Sequence, residues 1–283
     1  MSGKTILEKN NLLFNNRIDY SDLPLEDYKN KLFKYDGYVI IKNFISEDDA
    51  IYLKNRLVKN KHCFKKNSKS GNRRLYYYPN SPYDIPLYIK SIYTEISLLK
   101  NLIYNDHPFY LDYSKQINTD PNDINKILFF QNKHTWSSFY WYKNNESLFK
   151  HIDEYGELAS FLILSKLKID YDGGGLVFWK DDKEIYLDNK LDYGDLVFFD
   201  QASFFHEVKK IKVSDEQIGR LQFYVPTIPY GYMDKCFQFE DYPSKYFFSQ
   251  DISSINKKYL TLKNFLKKQK IHHSRLNYFK DFS

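Results

Sequence analysis

Phe149-Lys-His-Ile-Asp153 places an imidazole and a carboxylate two residues apart. On an extended strand, side chains at i and i+2 share a face, so His151 and Asp153 can serve one ion as neighbouring ligands. A third ligand has to come from elsewhere. His206 is the natural candidate, since it follows the apolar run Leu196-Val-Phe-Phe199 and precedes Glu207-Val208. Two histidines and one carboxylate form the facial set that suits non-haem Fe(II). Such a set leaves room for a bidentate 2-oxo acid and for dioxygen. No thiolate accompanies the three, which weakens the case for structural zinc.

Arg220 stands 14 residues beyond His206 and opens the alternating run Arg220-Leu-Gln-Phe-Tyr-Val225. A guanidinium fork matches a carboxylate in two-point fashion, so a buried arginine facing a cleft serves a carboxylate. Taken singly, each of these residues also has a plain structural reading. An H-x-D triplet occurs by chance, a histidine after a strand can be a core residue, and Arg220 could be half of a structural ion pair. Their weight lies in the ordered combination.

The elements that must position them are mostly strands. Ile127–Gln131, Ser138–Lys143, Ser160–Leu167, Leu176–Lys180, Asp195–Asp200, His206–Ile211 and Arg220–Val225 are short apolar runs separated by turn signals. The Asp172-Gly-Gly-Gly175 stretch reads as a tight turn. This density of short strands predicts an all-β sandwich or barrel. Ahead of it, Leu25 onward reads as helix, Gly37–Ile41 as strand, and Ser46-Glu-Asp-Asp-Ala50 as a capped helix start. Residues 61–82 read as a basic loop around a short strand, Leu75–Tyr78, and 85–105 as helix. Residues 255–270 read as a C-terminal helix with a solvated basic face. The chain reads as a single domain over 1–283: a helical and mixed N-terminal flank over 25–125, a β core over 126–227 and a C-terminal extension over 228–283.

The segment from about 137 to 226 resembles the double-stranded β-helix core of the Fe(II)/2-oxoglutarate-dependent dioxygenase superfamily. The resemblance rests on His151-x-Asp153, the glycines at 173–175, Gly194-Asp-Leu-Val-Phe-Phe199, His206-Glu-Val208 and Gly219-Arg220, with His206 standing 53 positions after Asp153. The glycine stretch and His206-Glu-Val208 are similar to the prolyl-hydroxylase branch. Tyr35–Ala50 is similar to the opening of phytanoyl-CoA-hydroxylase-type members.

The resemblance implies a jelly-roll, cupin-like core with N-terminal helices and a C-terminal helical extension. It implies iron on His151, Asp153 and His206, and the far carboxylate of 2-oxoglutarate on Arg220. Tyr142 would hydrogen-bond the cosubstrate, with Tyr140 as the alternative. Dioxygen would be consumed, succinate and carbon dioxide released, and ascorbate is an optional further cofactor. Related halogenases replace the carboxylate ligand with a small residue, so Asp153 argues against halogenation. Hydroxylation is the default outcome, and desaturation, ring closure and epimerisation remain open.

For the substrate, a small polar metabolite such as an amino-acid derivative is preferred. A peptide or protein side chain, as in a prolyl-hydroxylase-type enzyme, is second and nucleic acid third. Arg73 and Arg74 could meet an anionic substrate group, though an exposed basic loop is the favoured reading. A separate class is a non-catalytic cupin-like protein that binds a metal or small acid. A salt bridge from Arg220 to a neighbouring carboxylate, with no open pocket near the iron, would favour that class.

Composition narrows the field further. The chain has 283 residues, 42% hydrophobic and 19% aromatic, which excludes wholesale disorder. It holds 27 Tyr and 23 Phe but only three Ala, a bias expected of A/T-rich codons, so single aromatics say little about function. The net charge of +6 is spread along the chain rather than gathered in a stripe, which disfavours a nucleic-acid binder. Two cysteines, Cys63 and Cys236, make no disulfide framework, and no run approaches a membrane span. A cytoplasmic setting with no membrane partner is expected. His62 beside Cys63, and His272-His273, lack companions for a metal site.

Overall fold

Acidic side chains mark the starts of the first two helices, where they meet the positive end of the helix dipole. Glu26 and Asp27 open α1 (Leu25–Asn30), which runs on into a π-helical turn, Lys31–Tyr35. After β1 (Tyr38–Ile41), Glu47, Asp48 and Asp49 open α2 (Glu47–Lys59), and the Ser46 hydroxyl accepts the Asp49 backbone N–H at 3.2 Å. Ala50, Leu53 and Leu57 form its buried stripe. The short strands β2 (Lys65–Lys66) and β3 (Arg73–Tyr77) precede α3 (Leu87–Tyr104), which buries Ile89, Ile92, Ile96, Leu99 and Ile103. The computed structural model describes residues 23–67, 71–77, 87–104, 137–152, 158–201 and 203–225, with isolated positions between 111 and 127.

Eight further strands follow: β4 (Ser137–Tyr142), β5 (Leu148–His151), β6 (Leu158–Ile163), β7 (Gly173–Lys180), β8 (Lys183–Tyr186), β9 (Leu196–Asp200), β10 (Phe205–Lys212) and β11 (Arg220–Val225). They form two antiparallel sheets. The larger has the order β1-β9-β6-β11-β4-β3-β2, and the smaller β5-β10-β7-β8. From β4 to β11 successive strands alternate between sheets, apart from the β7–β8 hairpin within the small sheet, which is the jelly-roll wiring of a double-stranded β-helix. Three strands of the large sheet come from the N-terminal flank.

Alternation along the strands sorts side chains onto two faces. Phe199 faces the small sheet, where its ring lies 5.9 Å from Phe178 and 5.0 Å from His206. Phe161, Tyr224 and Tyr140 continue that inner face ring by ring. The outer face carries Phe139 stacked on Phe223 at 4.4 Å, and Trp141, whose ring edge meets Phe64 at 5.1 Å. Lys100 of α3 ties that helix to the sheet by donating to the Val225 carbonyl.

Several expectations need correction. Gly173–Gly175 is the bulged beginning of β7 rather than a turn, and the register against β10 slips between Lys209 and Lys212. Gly174 has φ +81°, and a Cβ there would lie 2.2 Å from the Lys210 carbonyl oxygen, so only glycine fits the bulge. Ile127 lies in a helical turn, not a strand: its N–H reaches the Asp123 carbonyl at 3.0 Å, and the Asp123 side chain accepts from Lys126. Residues 128–131 lie outside the described set. Strand β8 was not anticipated. Its hairpin turns on Asp181 and Asp182, both at positive φ, a two-residue turn hidden in a run of charges. The expected helix over 255–270 and the whole extension over 228–283 lie outside the described residues. No helix among the described residues is long and apolar enough to cross a membrane.

Candidate metal centre and its arginine

Strands β5 and β10 run antiparallel with His151 and His206 as direct cross-strand partners. Their rings lie 4.2 Å apart, centroid to centroid. His206 is buried and packs against Phe199, while His151 is half-buried beside the exposed Phe149. Each ring turns Nδ1 toward a backbone carbonyl two residues earlier. His151 Nδ1 is 2.8 Å from the Phe149 oxygen, and His206 Nδ1 is 3.3 Å from the Phe204 oxygen. A carbonyl can only accept, so both contacts are hydrogen bonds when the proton sits on Nδ1. That tautomer leaves Nε2 of each ring as a lone-pair donor, the arrangement metal-ligating histidines require. These two residues therefore fit a divalent metal. Asp153, the third expected ligand, lies outside the described residues.

Arg220 is the first residue of β11, and Tyr142 is its cross-strand partner on β4. It is buried, and its guanidinium is gripped by Asp188: Nε donates to Oδ2 at 2.6 Å and Nη2 to Oδ1 at 2.9 Å. Nη1 donates to Gln222 Oε1, two residues along the same face. Tyr171 donates its hydroxyl to Asp188 Oδ2 at 2.6 Å. Burial alone would lower the arginine's pKa. The Asp188 carboxylate, with Tyr171 and Tyr142 beside it, outweighs that and raises it, so the guanidinium stays charged. The Tyr171 hydroxyl is raised by burial and by Asp188, and it remains a donor.

The salt bridge named as a discriminator is thus present. It does not exhaust the fork. Among the described residues, these three bonds to Asp188 and Gln222 engage three of the five guanidinium N–H groups, and the other two lie on the Nη1 and Nη2 nitrogens. Asp188 approaches this closely because Gly175, at φ +119°, has no side chain. A Cβ there would lie 2.2 Å from Asp188 Oδ2.

Of the two tyrosines considered for the cosubstrate, Tyr142 is fully buried in the Arg220 rung. Tyr140 is the partner of Gln222, one rung away on the same inner face. Arg73 and Arg74 do not form an exposed loop. Both lie on β3, where Arg73 faces outward and meets Glu146 at 3.4 Å. Arg74 turns inward, 4% exposed, with its guanidinium carbon 4.4 Å from the Tyr140 ring centroid. Asp188, Tyr171 and Gln222 were not anticipated. Gln222 carried a usable signal, being two residues from Arg220 on a strand, whereas Asp188 sits in a 3-10 turn, Asp188–Lys190, with no periodicity to read.

No family model matches the sequence, and no curated relative matches it. Solved structures do. A prolyl-4-hydroxylase from Pseudomonas putida superposes with a TM-score of 0.50 at 15% identity, covering 72% of this chain and 98% of that one. A prolyl hydroxylase from Trichoplax adhaerens, in complex with a hypoxia inducible factor oxygen degradation domain peptide fragment, gives a TM-score of 0.48 at 16% identity over 80% and 94%. The first of these shares the fold of this chain.

Proposed function

We propose that the chain is an Fe(II)- and 2-oxoglutarate-dependent oxygenase that hydroxylates an unactivated C–H bond of a small polar metabolite, such as an amino-acid derivative. The observation that carries this reading is the cross-strand histidine pair, with both Nδ1 atoms committed to carbonyls, inside a double-stranded β-helix. His151, His206 and Asp153 would hold the iron, and Arg220 would take the far carboxylate of 2-oxoglutarate through its remaining N–H groups. Tyr142, the cross-strand partner of Arg220, would add its hydroxyl, with Tyr140 as the alternative. When bound, iron and cosubstrate would supply the oxidising power: 2-oxoglutarate, dioxygen and the substrate C–H would give succinate, carbon dioxide and the hydroxylated substrate, one oxygen atom going to succinate and one to the substrate.

The protein's own contribution is placement. The two carbonyl-anchored imidazoles are preset before metal arrives, so little reorganisation accompanies binding. Asp188 and Gln222 fix the guanidinium plane, which sets where a carboxylate can dock. Phe199 and Phe161 supply an apolar wall beside His206 that excludes water from the reacting region.

The test is anaerobic addition of 2-oxoglutarate to the Fe(II)-loaded protein, read as a visible charge-transfer absorption, followed by a metabolite screen for substrate-stimulated succinate. Metal-independent succinate, or none with any compound, would sink the proposal. The Arg220–Asp188 bridge favours a second reading, a non-catalytic protein that binds a metal or small acid. It predicts the same metal binding without turnover. A peptide substrate is a further alternative, distinguished by the same screen run with peptides.

A further inference from the structure

Neighbouring residues on a strand point to opposite faces, so each histidine of the pair has an outward companion on the back of the small sheet. For His151 on β5 it is Lys150, and for His206 on β10 it is Glu207. Both companions meet one side chain, Trp179 of β7. The Lys150 ammonium lies 3.4 Å from the indole ring centroid, and the indole Nε1 donates to Glu207 Oε1 at 3.3 Å. Phe178, the residue before Trp179, faces inward with its ring 5.9 Å from Phe199, which puts the indole on the outside.

The indole is itself braced. Its cross-strand partners are Phe205 on β10 and Glu184 on β8. Lys150 also lies 5.0 Å from the Phe205 ring centroid. Lys209, ion-paired to Glu184, stands 5.9 Å from the indole centroid. Lys150 therefore reaches from β5 across β10 to a fixed ring on β7.

Such a strap matters because β5 is weakly held by its backbone. Among the described residues it is the edge strand of the small sheet, four residues long, with Phe149 and Lys150 exposed. Its register against β10 runs through His206–His151 and Val208–Leu148 and slips between them. Short, irregular ladders with solvent-exposed hydrogen bonds open readily. Ligands at a metal site, by contrast, have to hold their geometry within about 0.5 Å.

We propose that Trp179 is a positioning residue for the metal centre: from the outer face it holds Lys150 and Glu207, and so fixes His151 against His206 on the inner face. The assignment rests on the histidine pair being the metal centre of the oxygenase proposed above. A ligand set held ready binds metal at full affinity, and one that must first be assembled binds more weakly by the fraction assembled. Charge argues the other way for Lys150, because removing a cation near a divalent ion tightens binding. The sign of the change separates the two.

The full chain is titrated with Mn(II) by calorimetry, and amide hydrogen exchange over Leu148–His151 is followed without metal. Lys150→Met keeps an apolar stem and loses the charge. It should speed exchange in β5 and weaken Mn(II) binding roughly two- to fivefold, the worth of one partly exposed cation–π contact. Trp179→Leu alters no charge and also frees Glu207, so it should weaken Mn(II) binding roughly tenfold. Lys150→Arg, whose guanidinium stacks on aromatic faces, should restore both readouts. Tighter or unchanged Mn(II) binding in Lys150→Met or in Trp179→Leu overturns the positioning role and leaves the metal centre in place. Failure of Lys150→Arg to restore binding overturns it as well. No Mn(II) site in the parent removes the metal-centre reading, and the positioning role falls with it even where exchange in β5 responds.

Discussion

Asp188 meets Arg220 edge-on, with both carboxylate oxygens engaged by Nε and Nη2, and both residues almost wholly shielded from solvent. Removing one member of a buried ion pair strands the other, at a cost of about 3–5 kcal/mol. Asp188→Ala should therefore lower stability by about that amount. Chemical denaturation measures it. A loss well under ~1 kcal/mol would show that the pair is open to water in solution.

Gly175→Ala attacks the same pair from the other side. The new Cβ overlaps Asp188 Oδ2, and the backbone sits at a φ that L residues rarely adopt. A loss of about 1–3 kcal/mol is expected. Combined with Asp188→Ala, the two losses should sum to less than their separate values, since the clash vanishes with the carboxylate. Strict additivity in a double-mutant cycle would contradict the geometry.

Metal binding should require both imidazoles. Calorimetric titration with Mn(II) is expected to show one site in the parent, and no detectable site after His206→Ala or His151→Ala. Asp153→Ala should weaken the site as well. His62→Ala, remote from the pair in sequence and carried on the 3-10 turn Lys61–Cys63, should titrate like the parent. Loss in His62→Ala, or retention in His206→Ala, would place the metal elsewhere.

Lys143 offers a pH signature. Burial, aided by Arg73, pushes its pKa down to about 8, although its ammonium also lies 3.7 Å from the Trp141 ring centroid and donates to the Ile218 carbonyl. A lysine depressed in the folded state binds more protons when unfolded, so stability rises with pH across the window above about 8. Tyr88, raised to about 12 by burial, acts in the opposite direction once unfolded tyrosines ionise near pH 10. The buried Cys63 thiol, raised to about 11, also opposes the lysine, so between pH 8 and about 9.5 the parent should gain stability relative to Lys143→Met. Parallel melting curves for the two proteins would refute the shift.

Much of the β core was legible because its strands announce themselves. Arg220–Val225 alternates and is bounded by Gly219 and Pro226, and the structure gives β11 those limits. The pairing of His151 with His206 follows from antiparallel strands in jelly-roll order. What escaped was carried by neighbours in space. Asp188 owes its place to a glycine thirteen residues earlier that lets it approach. Arg74 looked like part of a polar loop because Asn72, Arg73 and Arg74 are all hydrophilic, yet strand alternation turns one arginine out and the next inward. Polar residues on an inner face break the usual hydrophobic code, which is why a buried polar strand face is hard to tell from a surface strand.

Strand β1 pairs with β9 through Tyr38–Phe199 and Ile41–Leu196, so the edge of the large sheet is finished by a segment made long before its partner. On the ribosome, residues 38–41 wait for roughly 160 more to be synthesised before they can dock, and such distant pairings slow folding. Until then the nascent flank depends on α1, α2 and α3 to shelter its apolar surface. The helices that flank the β core would act first as its temporary custodians during synthesis.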